Sequence, residues 1–281
     1  MLLLDAHIHL DFVDDASGLA LFAAQQELSL FANTVSPYGF MKLRMRYPGN
    51  PWIVPGLGFH PWWVADDVLQ PADLELFEML AAEAAFVGEI GLDFMGARKK
   101  TAVNQLDAFD RIIESCMGPL VVPPASDEFQ RVISIHAVKA TSEALDVLER
   151  WDATSNNACV FHWFTGSSDE LQRATKMGCY FSVSPRMLRS KKGQAYVRAI
   201  PADRLLLETD APGRIEPASW DSVVYSGVAP VPDPRVASYS CEQWVESLEQ
   251  TASQLQGFVG KPLPRIPRLC GGRTLCGGDS R

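Results

Sequence analysis

The chain has 281 residues, 47% of them hydrophobic, which predicts a globular protein with a large buried core. We expect neither a membrane span nor a secretory signal, because no apolar run approaches the roughly 20 residues of a transmembrane helix and no basic residue precedes the N-terminal apolar run. A net charge of −9 disfavours a protein that binds nucleic acid mainly through non-specific phosphate contacts.

Short apolar runs along the chain predict buried strands, and amphipathic segments between most of them predict helices. The predicted strands are Leu2–Ala6, Leu30–Val35, Trp52–Gly58, Phe86–Ile90, Val132–Ile135, Ala158–Phe161, Cys179–Val183 and Leu205–Leu207. The predicted helices are Ser17–Leu28, Pro71–Ala84, Thr101–Cys116, Thr141–Trp151, Ser168–Met177, Gly193–Ala199 and Cys241–Gln256. The connection between the second and third strands is predicted as loop rather than helix. This alternation predicts parallel βαβ units.

Three segments lack this alternation. Met117–Arg131 is predicted as an inserted loop before the fifth strand, where it could reshape the groove beside that strand. Gly213–Ser240 is predicted as a long loop after the eighth strand, and residues 260–281 as an irregular, disordered tail. Residues 1–259 are therefore expected to form a single α/β domain, a TIM (β/α)8 barrel. An open doubly wound sheet is the alternative.

Histidines and acids follow the predicted strands at their C-terminal ends. His7 and His9 close the first strand, and residues two apart in a strand point to the same face, so both imidazoles can reach one ion. Glu89 lies within an apolar strand, where an unpaired carboxylate is costly to bury and a cation would offset that cost. These residues point to a metal site.

Three more candidates complete the set. His136 ends the fifth strand, His162 ends the sixth, and Asp210 follows the eighth, which in a closed barrel lies beside the first. A barrel would bring four imidazoles and two carboxylates together above the strand ends. Such a set suits divalent ions such as Zn²⁺, Mn²⁺ or Mg²⁺, and two ions fit it better than one.

Further polar and aromatic side chains follow the ends of the predicted strands. His60 ends the third strand, where we expect it on the rim of the site, in contact with substrate. Glu208 is a weaker candidate than its neighbour Asp210. Aromatic rings that follow the histidine-bearing strands could stack on a base or pack against loops, and they are Trp62, Trp63, Trp163 and Phe164.

Together, these motifs resemble those of the TatD-like metal-dependent deoxyribonucleases, which belong to the amidohydrolase-like barrels. They run in the family's order over residues 1 to 212. The motifs are Asp5-Ala6-His7-Ile8-His9, Gly58-Phe59-His60-Pro61, Gly88-Glu89-Ile90-Gly91-Leu92-Asp93, His136, His162-Trp163-Phe164-Thr165-Gly166 and Glu208-Thr209-Asp210-Ala211-Pro212.

The resemblance implies a site with two metal ions and hydrolysis of phosphodiester bonds in DNA. One ion would be held by His7, His9 and Asp210, the other by His136 and His162, with Glu89 bridging both. His60 would bind the phosphate, and Asp93 would support a ligand from behind. The metals would lower the pKa of a bound water, which Asp210 would orient or deprotonate.

This sequence departs from the family pattern in the residues after His136. The family usually has an arginine two residues on, whereas this chain has Val138 followed by Lys139, which could substitute only in part. The C-terminal segment, Leu269–Arg281, also lacks the family's usual asparagine-containing ending. Contacts with the substrate beside the fifth strand are the feature most affected.

Two other functions stay open besides an exonuclease acting on DNA, single-stranded or at ends. One is a hydrolase of a different ester or amide on the same barrel, which the acidic charge favours. The other is a catalytically silent barrel that acts as a binding protein. We expect no membrane association and no obligate protein partner. The six cysteines lack C-x-x-C spacing, which favours a reducing compartment, the cytoplasm.

Overall fold

The apolar runs form the strands of a parallel sheet in the computed structural model, which describes residues 3–12, 16–26, 28–211 and 241–259. Eight strands pair in sequence order, each parallel to the next. They are β1 (Leu3–Ile8), β2 (Leu28–Asn33), β3 (Ile53–Phe59), β4 (Phe86–Asp93), β5 (Arg131–Val138), β6 (Asn157–His162), β7 (Tyr180–Val183) and β8 (Leu205–Leu207).

The sheet closes on itself between its first and last strands. The His7 carbonyl accepts a hydrogen bond from the Asp210 N–H at 2.9 Å. The buried carboxylate of Asp5 adds to this seam by accepting hydrogen bonds from the Thr209 N–H at 3.0 Å and from the Thr209 hydroxyl at 2.5 Å. The predicted TIM barrel is therefore confirmed, and the doubly wound alternative, which needs open sheet edges, is wrong.

Helices follow the strands around the outside of the barrel. They are α1 (Ala16–Gln25), α2 (Pro37–Arg46), α3 (Pro61–Ala65), α4 (Pro71–Ala81), α5 (Ala102–Cys116), α6 (Thr141–Arg150), α7 (Ser168–Lys176), α8 (Pro185–Leu188), α9 (Lys191–Ala199) and α10 (Cys241–Val259). None of these described helices is long and apolar enough to cross a membrane.

Helix α2 corrects the prediction of a loop between the second and third strands. The side-chain oxygen of Ser36 caps the helix by accepting a hydrogen bond from the Gly39 N–H at 3.1 Å, and Pro37 occupies the first turn. Apart from Pro37, only Phe40 and Leu43 of this helix are buried. So sparse an apolar face gives little helical periodicity, which is why the sequence pattern predicts a loop here.

Alternation along the strands gives the barrel interior an apolar base and a polar mouth. On β5, Ile133 and Ile135 belong to the main core cluster. The other face of β5 carries Val132 near the base, then Ser134, and then His136 at the mouth. This arrangement places the polar side chains together at the C-terminal ends of the strands.

The loop before β5 lies at the opposite end of the barrel from that mouth. Residues 117–130 are irregular as predicted, but Arg131 already belongs to the strand. The loop leads into the N-terminal end of β5, and its buried Ala125 and Phe129 belong to the apolar cluster at the barrel base, where the rings of Phe129 and Tyr180 meet edge to face. The expectation that this loop reshapes the groove at the active end is therefore wrong.

Several predictions fall on residues that the structure does not describe. The long loop Gly213–Ser240 and the tail 260–281 lie outside the described ranges. The domain limit at residue 259 therefore stays a prediction. Within the described part of the chain, Cys116, Cys159 and Cys179 are buried free thiols.

Candidate metal centre

The buried carboxylate of Glu89, on β4, gathers all five histidines of the chain around it. Each ring has a nitrogen within 3.3 Å of a Glu89 oxygen. The distances to Oε2 are 3.3 Å from His7 Nε2 and 3.1 Å from His9 Nε2, and those to Oε1 are 3.2 Å from His60 Nε2, 2.7 Å from His136 Nδ1 and 2.9 Å from His162 Nε2. One carboxylate therefore faces nitrogen ligands on both of its oxygens.

The local sequence of β4 lets this strand approach its neighbours closely. Gly91 has a φ of +137°, and a Cβ added there would lie 2.0 Å from the carbonyl oxygen of His136 on β5. Only glycine fits that conformation and that contact. The motif around Glu89 is thus set by the close packing of two strands as well as by the chemistry of the site.

Three overlapping groups of side chains have ligand atoms within 4.8 Å of one another. They are His7, His9 and Glu89; His60, Glu89 and His136; and His7, His162 and Glu208. Each group combines imidazole nitrogen with carboxylate oxygen, the mixed set that first-row divalent cations accept. Overlap at Glu89 and at His7 is compatible with a binuclear centre.

Two histidines at the end of β1 have hydrogen-bond partners behind the ring, on the side away from Glu89. His9 Nδ1 lies 3.2 Å from the carbonyl oxygen of Asn33, which can only accept, so Nδ1 carries the proton and Nε2 offers its lone pair towards Glu89. His7 Nδ1 bonds to the Ser134 hydroxyl at 2.9 Å. His9 is therefore held in the tautomer that binds a metal through Nε2.

His60 has the opposite tautomer. Its Nδ1 accepts a hydrogen bond from the Trp62 N–H at 3.1 Å, so the proton of the neutral ring lies on Nε2, which faces Glu89. Burial lowers the pKa of His60 to about 4, although Glu89 opposes that shift, so the ring is neutral near pH 7. His60 therefore presents a donor to the centre, not a lone pair.

The structure also corrects the expected position of His60. The sequence placed this side chain on the rim of the site, but it is 3% exposed and lies against Glu89 inside the cluster. The reason is that β3 ends at Phe59, and its next residue serves as the N-cap of α3, which turns the ring inward. The predicted contact with substrate stays a prediction.

Glu208 lies deeper in the site than the sequence indicated. It is fully buried, and its Oε2 lies 3.9 Å from His162 Nδ1 and accepts a short hydrogen bond from Ser182 Oγ. Burial raises the pKa of Glu208 to about 8, and His162 opposes that shift. The signal for this residue was its position two residues before Asp210, which is too general a pattern to stand alone.

The gap between His162 and Glu208 tests whether a cation fits the centre. Among the described residues, His162 Nδ1 is buried without a hydrogen-bond partner. Its distance of 3.9 Å from Glu208 Oε2 is close to the span of two bonds of roughly 2.0 to 2.2 Å to a shared ion. An orphaned imidazole nitrogen opposite a buried carboxylate is a fitting ligand pair.

The pKa values of the acids in the cluster depend on their burial and on the imidazoles that face them. Burial would raise the pKa of Glu89, but the facing imidazoles, His60 and His162 first, hold it well below its usual range. Burial raises the pKa of Asp210, whose Oδ1 lies 4.0 Å from His9 Nε2. Asp210 therefore stands at the edge of the cluster, beside the histidine pair of β1 as predicted.

Asp93 supports the centre from the end of β4. Its Oδ2 lies 3.3 Å from His136 Nε2 and accepts a hydrogen bond from the Trp62 indole N–H at 2.5 Å. Its Oδ1 accepts one from the Met95 N–H at 2.8 Å. The carboxylate therefore orients a ring that faces Glu89 with its other nitrogen, as a support behind a metal ligand does.

Comparison with known proteins agrees with this geometry. Residues 4–255 match the family described as TatD related DNase. The chain belongs to that family. This TatD-family chain is 28% identical over 223 residues to the uncharacterized metal-dependent hydrolase YcfH of Escherichia coli strain K12, a match that covers 75% of this chain and 78% of that protein.

Two further comparisons extend that result. The chain is 30% identical over 200 residues to the 3'-5' ssDNA/RNA exonuclease TatD of Yersinia pseudotuberculosis, covering 69% of this chain and 68% of that protein. The crystal structure of a TatD family hydrolase from Entamoeba histolytica superposes with a TM-score of 0.66 at 17% identity, covering 94% of this chain and 93% of that one. The second likeness shows that the TatD-family chain shares the fold.

Proposed function

We propose that this TatD-family hydrolase is a metal-dependent deoxyribonuclease, acting as an exonuclease on single-stranded DNA or DNA ends. The observation that carries the proposal is the convergence of five imidazoles on one buried carboxylate at the mouth of the barrel. The relative from Yersinia pseudotuberculosis, named as an exonuclease on ssDNA and RNA, supports the substrate class.

The ligand roles follow from which atoms face the centre. We assign His7, His9 and Asp210 to one divalent ion and His136 and His162 to the other. Glu89 would serve both ions, because each of its oxygens faces a different pair of these rings. Glu208 lies opposite the orphaned Nδ1 of His162, on the other side of that ring from Glu89, so the two could hold a cation only at a position separate from the one that Nε2 faces. The ions would be Zn²⁺, Mn²⁺ or Mg²⁺.

Bound divalent ions would lower the pKa of a water and stabilise negative charge on the phosphate oxygens. Asp210 holds or accepts the proton of the attacking water. Burial raises the pKa of this carboxylate, which makes it a stronger base than a solvated aspartate. Glu89, whose pKa is held low by the imidazoles, stays ionised and keeps the ligand rings in place.

His60 binds the phosphate in this proposal. Its Nε2 carries the proton of the neutral ring, so it donates a hydrogen bond to a phosphate oxygen placed against the centre. A nitrogen that carries a proton cannot also coordinate a cation. This separates His60 from the other four histidines, although its ring lies among them.

The test is cleavage of end-labelled single-stranded and double-stranded DNA in Mg²⁺, Mn²⁺ or EDTA, with Asp210→Asn as the inactive control. We expect cleavage that depends on metal and falls at least 100-fold in the variant. Intact DNA together with metal-dependent hydrolysis of a small ester would favour the alternative ester hydrolase, which the net charge of −9 keeps open. Intact DNA and no bound metal would favour a silent binding protein.

A further inference from the structure

The aromatic rings near the histidines divide into two kinds. Trp63 and Phe164 are buried in the core at 0% and 4% exposure, so their role is packing. Trp62 is half-buried, and its indole N–H is already engaged in a hydrogen bond to Asp93. Trp163 is half-buried beside the metal centre and packs in part against the core, and the proposed chemistry gives the exposed part of its ring no role.

The backbone holds Trp163 at the mouth in an unusual conformation. Its φ is +38°, in the left-handed region that costs a bulky residue free energy. Its N–H donates a hydrogen bond to Glu208 Oε1 at 3.2 Å, and it directly follows His162. A large indole kept in a strained position next to a ligand is a feature that points to a contact with substrate.

Arg186 lies against that indole. It belongs to α8, which follows β7 at the same end of the barrel, and its guanidinium carbon is 5.6 Å from the centre of the Trp163 ring. The side chain is exposed.

This pair combines the two elements that bind a single-stranded nucleotide. An indole offers a face on which any base can stack, and a guanidinium offers a planar fork of N–H donors to a phosphate. The contact between them is near the outer limit of about 6 Å for a cation over an aromatic ring, and the guanidinium is exposed, so a phosphate can reach it from solvent. In a protein of net charge −9, a positive group at the mouth is unlike the overall surface.

We propose that Trp163 and Arg186 form a nucleotide subsite next to the metal centre, with a base stacked on the indole and the neighbouring phosphate bound by the guanidinium. The proposal rests on the proposed nuclease function. It adds the path of the substrate, because the single strand would leave the metal centre over the side of the mouth between β6 and β8. Because of this pair, the enzyme prefers a strand with several phosphodiester bonds to a dinucleotide, which has one.

The test compares wild type, Arg186→Ala and Arg189→Ala in steady-state cleavage of a thymidine hexanucleotide and a thymidine dinucleotide. Arg189 ends the same short helix, is exposed, and serves as the matched loss of one charge. We expect Arg186→Ala to raise the KM of the hexanucleotide about tenfold with a smaller change in kcat. The advantage of the hexanucleotide over the dinucleotide should shrink accordingly, whereas Arg189→Ala should behave as wild type.

Salt dependence gives a second readout that a merely structural role would not move. The slope of log kcat/KM against log KCl concentration should fall by about 0.7 in Arg186→Ala, the value for one phosphate contact on a single strand. Trp163→Phe, which keeps an aromatic ring, should raise KM less than Trp163→Ala.

Two results would overturn the subsite. One is equal behaviour of the Arg186 and Arg189 variants. The other is a change in kcat and its pH profile that is the same for both substrates, which would mean that Arg186 acts only through Asp210. If wild type cleaves neither oligonucleotide, the proposed function itself fails, and the two failures are thereby distinguished.

Discussion

Replacing Asp93 by asparagine tests the support behind the metal centre. The carboxylate has three donors around it: His136 Nε2 at 3.3 Å and the Trp62 indole N–H at 2.5 Å on Oδ2, and the Met95 N–H at 2.8 Å on Oδ1. An asparagine has one acceptor oxygen in place of two. Whichever way the amide turns, its NH2 group faces at least one donor.

The expected loss follows from that mismatch. Leaving a buried donor without an acceptor costs about 1 to 3 kcal/mol, and loss of the partner behind a ligating histidine lowers metal affinity about 10- to 100-fold. We therefore expect Asp93→Asn to weaken binding of Mn²⁺ by that factor, measured by calorimetric titration or by competition with a chelator. DNA cleavage should be recovered at higher Mn²⁺ concentration, because the ligand atoms themselves remain.

A matched control removes a different buried aspartate. Asp73 accepts a hydrogen bond from the Gln70 N–H at 2.7 Å at the start of α4. Asp73→Asn should lower the free energy of unfolding without changing the affinity for metal. Unchanged Mn²⁺ affinity in Asp93→Asn, or an equal loss in both variants, would refute the role assigned to Asp93.

Three further outcomes follow from the same structure. Metal analysis should find fewer than two ions per chain in His9→Ala. His60→Ala should keep both ions, and kinetics should show a higher KM for DNA. Equal metal loss in both variants would contradict the tautomers assigned to these rings. Arg131→Met should lower the free energy of unfolding in urea by about 3 kcal/mol. The reason is that the buried guanidinium donates hydrogen bonds to the carbonyls of Cys116 at 2.6 Å and Ala81 at 3.1 Å. A decrease under about 1 kcal/mol would contradict this. Mn²⁺ at about 100 times its dissociation constant should stabilise the chain by about 2.7 kcal/mol for each site filled. For two sites that is about 5 kcal/mol, which should raise Tm by roughly 9 °C, and EDTA should reverse the rise.

Much of the fold could be predicted because parallel strands buried on both faces are nearly continuous apolar runs. The eight predicted strands correspond to the eight in the barrel, and their alternation with helices fixed the class. Helix α2 was missed because its start depends on the Ser36 cap and Pro37, while few of its residues are buried. Local capping can start a helix that the apolar pattern does not reveal.

The candidate site could be predicted in its members better than in its geometry. His7, His9, His136 and His162 lie around Glu89 because strand ends of a closed barrel meet at one mouth. The sequence could not show how each ring turns. That depends on partners distant in the chain, such as the Asn33 carbonyl behind His9 and the Ser134 hydroxyl behind His7.

The sequence also could not show how deeply each side chain is buried in the site. His60 was expected on the rim because it follows a strand end, but its role as N-cap of α3 turns it inward. Glu208 gave a weak signal because an acid two residues before another is common, whereas its full burial opposite His162 is a tertiary feature. The role of each residue in binding metal or substrate stays a prediction.

The most direct test of the account is the metal content of Glu89→Gln, measured by mass spectrometry after equilibration with Mn²⁺ and removal of free metal. The side chains are of equal size, so a circular dichroism spectrum like that of wild type would show that the barrel is intact. Wild type should hold two ions per chain and the variant fewer than one, because the carboxylate shared by two of the three groups of ligand atoms is lost. Two ions retained by the folded variant, with DNA cleavage intact, would contradict a centre built on Glu89.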